Sequence, residues 1–191
     1  MPAASWERGL EDKNIMAIHR GITGLIVTCL SLAGAHAQAA PRSADVVGPG
    51  GQKVGTLEVV QAPRGVLLRI ELSGLTPGWH GMHVHSVATC ADAGFKASGG
   101  HVHEAGIVTA VHGLLNDKET DLGDLPNIHA GADGTAAAEV FAPNLSLGPA
   151  SGRLNLLDAD GSALIVHAAP DDHLSQPIGG AGARLACAPI K

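Results

Sequence analysis

Apolar and polar positions alternate over residues 54–62 and again over 65–73, with Pro63-Arg64-Gly65 between them. A period of two turns one face of each stretch toward a core and the other toward water. With a turn-forming break between them, the pair predicts a β-hairpin. A third strand is predicted over 78–85. The pattern then stops: from 86 to about 125 neither a two-residue nor a 3.6-residue period is sustained. Alternation resumes over 125–131 and 135–141, joined by the tight turn Ala132-Asp133-Gly134. Further strands are predicted over 162–168, after Asp160-Gly161, and over 183–188, with a second irregular stretch at 169–182 between them. Short strands at roughly ten-residue spacing predict an all-β antiparallel sandwich or barrel. Irregular stretches this long in a compact domain are usually functional.

Composition narrows the picture. The 191 residues suit one domain with additions, and no internal repeat or second domain is evident. Aromatic residues are only 2% and glycines number 26, which fits short aliphatic strands with glycine turns better than an aromatic-cored helical bundle. The net charge of −6 argues against nucleic acid as a partner. Residues 1–39 read as an N-terminal extension and signal peptide. Arg20 precedes an apolar run at 22–33, and Ala35-His36-Ala37 and Ala37-Gln38-Ala39 have the small-x-small form of a cleavage site. The run is too short to span a bilayer comfortably, so no stable membrane insertion is expected after cleavage. Met16 is the expected start, because residues 1–15 carry three acids; the alternative is an anchor that stays attached. Cys29 lies inside the apolar run after Thr28, which does not suit a lipid-attachment site. The domain then occupies 40–191, exported to the periplasm or secreted. Cys90 and Cys187 remain as an even pair in an oxidising compartment. They predict a disulfide, with two buried free thiols as the alternative.

The unusual feature is histidine: eleven in all, nine of them after position 40. In a strand, His83 and His85 point to one face while Val84 turns to the core, so two imidazoles stand side by side as half of a copper or zinc site. His101 and His112 follow in the long irregular stretch, then Asp121 and Asp124, then His167 on a distant strand. Taken singly, His101 could be a solvated turn residue and His167 a satisfied core residue. Together they form a metal-ligand set on rigid strands and one long loop.

These residues sit in motifs that resemble the copper/zinc superoxide dismutases. The run Gly78-Trp79-His80-Gly81-Met82-His83-Val84-His85 is similar to that family's copper-binding strand. Gly99-Gly100-His101, Gly123-Asp124-Leu125-Pro126-Asn127, Val166-His167 and the GGAGARLAC segment ending at Cys187 follow in the family's order, from about residue 45 to the C-terminus. The bacterial exported branch fits best. The resemblance implies a Greek-key antiparallel β-sandwich, or flattened barrel, with long metal-binding and active-site loops. It implies an enzyme that converts two superoxide ions and two protons to O2 and H2O2. Copper would be held by His83, His85, His101 and His167, with His101 bridging to zinc. Zinc would be held by His101, His112, Asp121 and Asp124. Asp171 would link His83 to His112, His80 would be structural, and Arg184 would guide the anion to copper. The implied partner is superoxide as substrate, on a monomer or homodimer.

The chain departs from the family at Asp121, where a third zinc histidine is usual; a carboxylate is an accepted zinc ligand. The spacing from His101 to His112 is also longer than usual. His103 is an extra histidine, read as a solvated loop residue or an alternative ligand. His129 and His173 are assigned to the surface. Two rival readings follow: a copper-only dismutase with a weakened zinc site, and an exported copper-buffering protein.

Overall fold

A computed structural model describes residues 39–104 and 106–191. The expected leader, with Met16, Arg20 and Cys29, lies outside the described residues apart from Ala39.

Among the described residues ten strands follow one another: β1 (Arg42–Val47), β2 (Lys53–Ala62), β3 (Gly65–Leu72), β4 (Gly78–His85), β5 (Asp124–Ala130), β6 (Ala136–Ala142), β7 (Leu145–Ser146), β8 (Leu154–Asn155), β9 (Ser162–His167) and β10 (Arg184–Ile190). Eight form one antiparallel sheet in the order β5-β4-β9-β10-β1-β2-β3-β6. Its outer strands, β5 and β6, are joined by the turn at 131–135, so the sheet nearly closes on itself as a flattened Greek-key barrel. The one helical piece among the described residues is a single 3-10 turn at Lys96–Ser98. No helix there is long and apolar enough to cross a membrane.

The interior follows from the alternation. Leu57 and Val59 of β2, Leu68 and Ile70 of β3, Met82 and Val84 of β4, Leu125 and Ile128 of β5, and Leu164 and Val166 of β9 all point inward and are buried. Each such side chain is worth roughly 1.5–3 kcal/mol when fully withdrawn from water. The strands that bear on the site are buried on their outer faces as well. Ala163 and Ile165 of β9 and Cys187 of β10 pack with Phe95 in a second, smaller cluster outside the barrel. Phe95 belongs to the loop after β4, and the expected disulfide is formed: Cys90 is joined to Cys187 across 97 positions, with Cα atoms 5.8 Å apart. The loop is therefore held against the outside of β9 and β10 by a covalent bond and an aromatic plug.

The predicted strands match within a residue or two at most ends. β1 was not predicted, because its sequence, RSADVV, presents only Val46 as a fully buried apolar residue and alternates poorly. The two-residue strands β7 and β8 are too short to show a period.

Candidate metal centre

The site forms where both irregular stretches fold over the outer face of β4 and β9. His83 and His85 come from β4, and His167 is the last residue of β9. Arg184 opens β10 opposite His167, and Asp124 opens β5 opposite His83. Irregular register near Gly81 and between Arg184 and Ala186 marks β-bulges at this end of the sheet, where bulges commonly re-aim side chains. His101 comes from the long loop and bridges to His85 through the backbone. His112 and Asp121 lie further along that loop, and Asp171 lies in the stretch after β9. All eight proposed ligands and linkers are buried.

One end of four imidazoles is pinned, which decides where the other end faces. His85 Nδ1 bonds Gly99 O at 2.9 Å, and His167 Nδ1 bonds Gly182 O at 3.1 Å, so Nε2 of each faces inward. Asp171 does the reverse for two others: its Oδ2 accepts from His83 Nε2 at 2.7 Å and its Oδ1 from His112 Nε2 at 3.0 Å, turning Nδ1 of each toward the centre. Partners of this kind fix the tautomer and the ring orientation of a metal-binding histidine. His101 is held by no such bond. Its Nδ1 lies 3.0 Å from Asp124 Oδ1 and 3.3 Å from Asp121 Oδ2, on the side where His112 Nδ1 meets Asp124 Oδ2 at 2.6 Å. Asp121 also approaches His112 Nδ1, at 3.9 Å.

Ligand atoms of His83, His85, His101 and His167 lie within 4.8 Å of one another, as do those of His83, His101, His112 and Asp124. His83 falls in both groups by proximity. With Nε2 committed to Asp171, its Nδ1 lies 3.0 Å from His167 Nε2, which places it with the first group. Among the converging atoms, His85 Nε2, His101 Nε2 and Asp121 Oδ1 have no hydrogen-bond partner, while His101 Nδ1, His112 Nδ1 and Asp124 Oδ1 meet only in the acid–imidazole contacts just described. A buried polar atom without a partner costs about 1–3 kcal/mol. Three such atoms in one place, beside buried acid–imidazole contacts, fit a site completed by cations, four imidazoles for copper and a mixed imidazole-carboxylate set for zinc.

The two halves differ in proton affinity. Burial pushes His85 down to about 2 and His167 down to about 4, the latter helped by neighbouring His83, and burial also lowers His83. These rings are neutral, with lone pairs available. Around His112 burial acts in the same direction, but Asp124 and Asp171 outweigh it and raise the ring to about 10. His101 is raised by Asp121 and Asp124 against its burial. Both Asp124 and Asp171 are held well below the usual carboxylate range by the surrounding imidazoles, although burial opposes this. This half attracts positive charge.

A cleft of about 310 Å³ opens beside the first group and is lined by His85, His101, His103, Asp121, His167 and Arg184, among others. The Arg184 guanidinium is fixed by donating to Phe95 O, Ser98 Oγ and Gly99 O. Those acceptors sit in the loop that the disulfide tethers. A larger cavity, about 430 Å³ at the β1–β10 seam, holds none of the clustered histidines.

Of the remaining histidines, His80 is buried between Thr76 O and His167 O, at 2.8 and 2.7 Å. His103 is exposed at the rim of the cleft, and His129 is exposed against Trp79. His173, expected at the surface, is instead half-buried. Its backbone N–H donates to Asp171 Oδ1 at 2.6 Å and its Nδ1 is enclosed. It turns inward with φ of +61° because the loop doubles back over Asp171.

Three site residues carried no role in the sequence reading. Asn127 clamps the Asp171 backbone, accepting from its N–H at 2.9 Å and donating to its carbonyl at 2.8 Å. Gln176 contacts the His112 backbone. Gly179, at φ of +58°, passes so close to the Asp171 carboxylate and His112 Nε2 that a Cβ there would collide with Asp171 Oδ1 and Cγ. Asn127 and Gly179 lie inside quoted motifs; nothing local marks Gln176.

The profile of the copper/zinc superoxide dismutase family matches residues 53–190. The chain is 58% identical over 141 residues to the superoxide dismutase [Cu-Zn] of Caulobacter vibrioides, covering 74% of this chain and 80% of that protein. It is 37% identical over 157 residues to superoxide dismutase [Cu-Zn] 1 of Aquifex aeolicus, covering 81% and 90%. Among solved structures, a SOD-like protein from Bacillus subtilis superposes with a TM-score of 0.72 at 34% identity, covering 78% of this chain and 97% of that one. The Cu/Zn superoxide dismutase of Brucella abortus superposes with a TM-score of 0.64 at 32% identity, covering 80% and 100%.

Proposed function

The chain belongs to the copper/zinc superoxide dismutase family and is a superoxide dismutase that depends on copper and zinc, and from that premise we propose how its residues divide the work. Copper is held by His83 Nδ1, His85 Nε2, His101 Nε2 and His167 Nε2. Zinc is held by His101 Nδ1, His112 Nδ1, Asp121 and Asp124. The observation that carries this reading is the pinning of each outer nitrogen by Gly99 O, Gly182 O or Asp171, which turns the opposite nitrogens together.

When bound, copper supplies the electron transfer by alternating between Cu(II) and Cu(I), and zinc supplies charge without changing valence. The chain's residues supply the rest. His101 serves both halves because an imidazole offers two opposed nitrogens and, unlike those of His83, His85, His112 and His167, neither of its own is pinned by an outer partner. His101 lines the cleft, and its Nε2, when not bonded to copper, would be the atom that holds the proton leaving with peroxide. Asp171 keeps His83 and His112 protonated on Nε2, so neither ring turns a proton toward a cation. Arg184 presents a fixed positive charge at the cleft, which focuses an anion toward the site on a protein of net charge −6. Asp121 completes the zinc set in place of a histidine, which supports two metals rather than copper alone. The domain at 40–191 is exported after loss of the leader and acts in the periplasm or beyond as a monomer or homodimer. The disulfide supports an oxidising compartment.

The test is metal content and superoxide disproportionation of the loaded chain beside His83→Ala. One copper and one zinc per chain, with activity lost in the variant, is the expected result. Copper bound without turnover would leave a copper-buffering protein, and copper with turnover but no zinc would remove Asp121 from the ligand set.

A further inference from the structure

The two irregular stretches meet at few points, and one of them bears on a proposed zinc ligand. The backbone N–H of His112 donates to Gln176 Oε1 at 2.9 Å, and Gln176 Nε2 donates back to His112 O at 2.8 Å and to Leu174 O at 3.1 Å. A side-chain amide has one donor and one acceptor edge in a plane, the same pair that a residue's backbone presents. Gln176 therefore grips the His112 backbone at two points, as Asn127 grips Asp171. The two gripped residues are joined to each other by the bond from His112 Nε2 to Asp171 Oδ1. His112 lies in a loop with no regular structure, so the orientation of its ring depends on such bonds.

We propose that Gln176 is a positioning residue for zinc: it holds the backbone of His112 from the opposite loop so that Nδ1 stays aimed at the zinc ligands. The inference rests on the assignment of zinc to His101, His112, Asp121 and Asp124. Gln176 touches neither metal nor substrate and acts through His112. Its own residue is exposed, so water replaces part of what its loss removes. The effect falls at or below the 10–100-fold range typical for groups that support a ligand directly, about threefold to tenfold in zinc affinity.

The experiment is chelator competition for zinc on the full chain, comparing wild type, Gln176→Met, Gln176→Glu and His112→Ala, with cobalt(II) absorption as a second readout. Gln176→Met keeps length and removes both bonds. It is expected to weaken zinc about threefold to tenfold and to shift the cobalt bands, with the unfolding midpoint of the metal-free chain unchanged. Gln176→Glu separates positioning from charge. Ionised, it keeps the acceptor but sets a lone pair against His112 O, so positioning predicts weaker zinc, whereas an added negative charge alone predicts tighter zinc. Wild-type zinc affinity in Gln176→Met, tighter zinc in Gln176→Glu, or a loss matched by lower metal-free stability would overturn the proposal. If His112→Ala leaves zinc binding intact, the ligand assignment itself fails; if it removes zinc while Gln176→Met does not, only the positioning role fails.

Discussion

Replacing Asp171 by Asn changes one atom and tests the whole arrangement. In the native carboxylate, Oδ1 accepts from His112 Nε2 and from the His173 backbone N–H, and Oδ2 accepts from His83 Nε2. An asparagine keeps one acceptor. The backbone N–H cannot move its proton, so the amide oxygen takes the Oδ1 place and the NH2 group faces His83. His83 Nε2 must then accept, which moves its proton to Nδ1, the atom turned toward His167 Nε2 at 3.0 Å. A proton there occupies a copper-facing lone pair. The zinc half keeps the bond from His112 but loses the negative charge that helps raise that ring to about 10. Loss of a partner of this kind costs about 10–100-fold in metal affinity, or about 1.4–2.8 kcal/mol. The expected loss is in that range for zinc and about tenfold for copper, whose His85 and His167 keep their partners. Chelator competition on the full chain measures each metal separately, with circular dichroism as a check on folding. Wild-type affinities for both metals in a folded variant would refute the tautomer argument.

Other outcomes follow from the same geometry. Gly179→Ala sets a Cβ against the Asp171 carboxylate at a positive φ, so zinc affinity should fall at least about tenfold together with the melting temperature; equal affinity by competition would show that the loop moves aside. Arg184→Gln should lower kcat/KM roughly tenfold and flatten its dependence on ionic strength while copper and zinc per chain stay unchanged. Cys90→Ser opens a loop of 97 positions and should cost roughly 4–5 kcal/mol in denaturant unfolding, less if the reduced chain retains structure. Asp121→Ala should reduce bound zinc below one per chain with copper retained, measured by metal analysis after dialysis; full zinc occupancy would exclude this carboxylate as a ligand.

Much of this was legible from local pattern. The alternating strands β2 and β3 announce themselves because one face is wet and the other dry, as at Glu58 beside Leu57 and Val59. β9 is buried on both faces and shows no alternation; its apolar run after Gly161 is what reveals it. β1 was invisible because its edge of the core is built from Ala44 and Val46, with charged Asp45 between. At the site, histidines are conspicuous because imidazole is rare and chemically specific. What orients them is not. The carbonyls of Gly99 and Gly182 belong to residues with no side chain to read, and their role exists only once the loops are folded. Gln176 is silent for a similar reason: a two-point amide grip joins residues 64 positions apart and leaves no periodic trace. The inward turn of His173 follows from the path of its loop and not from its neighbours in sequence.

The substitution at Asp121 reaches beyond zinc. A dication facing Asp121 and Asp124 meets two formal negative charges, so the zinc half is neutral before Asp171 is counted; a histidine at 121 would leave one positive charge there. His101 spans both halves, and the potential at its Nε2 depends on that balance, because charges a few ångströms apart in a buried site are weakly screened. The cleft that an anion enters is lined by His85, His101, His103, Asp121 and His167, and Arg184 is the one residue in that lining that carries a permanent positive charge. With Asp121 as a zinc ligand, a carboxylate at the rim and a more nearly neutral zinc half would both reduce the attraction for superoxide. On the proposed roles, Arg184 would therefore bear more of the focusing than it would beside a third zinc histidine. The three acceptors that anchor its guanidinium, in a loop held by a disulfide, would serve that role by keeping its position as well as its charge.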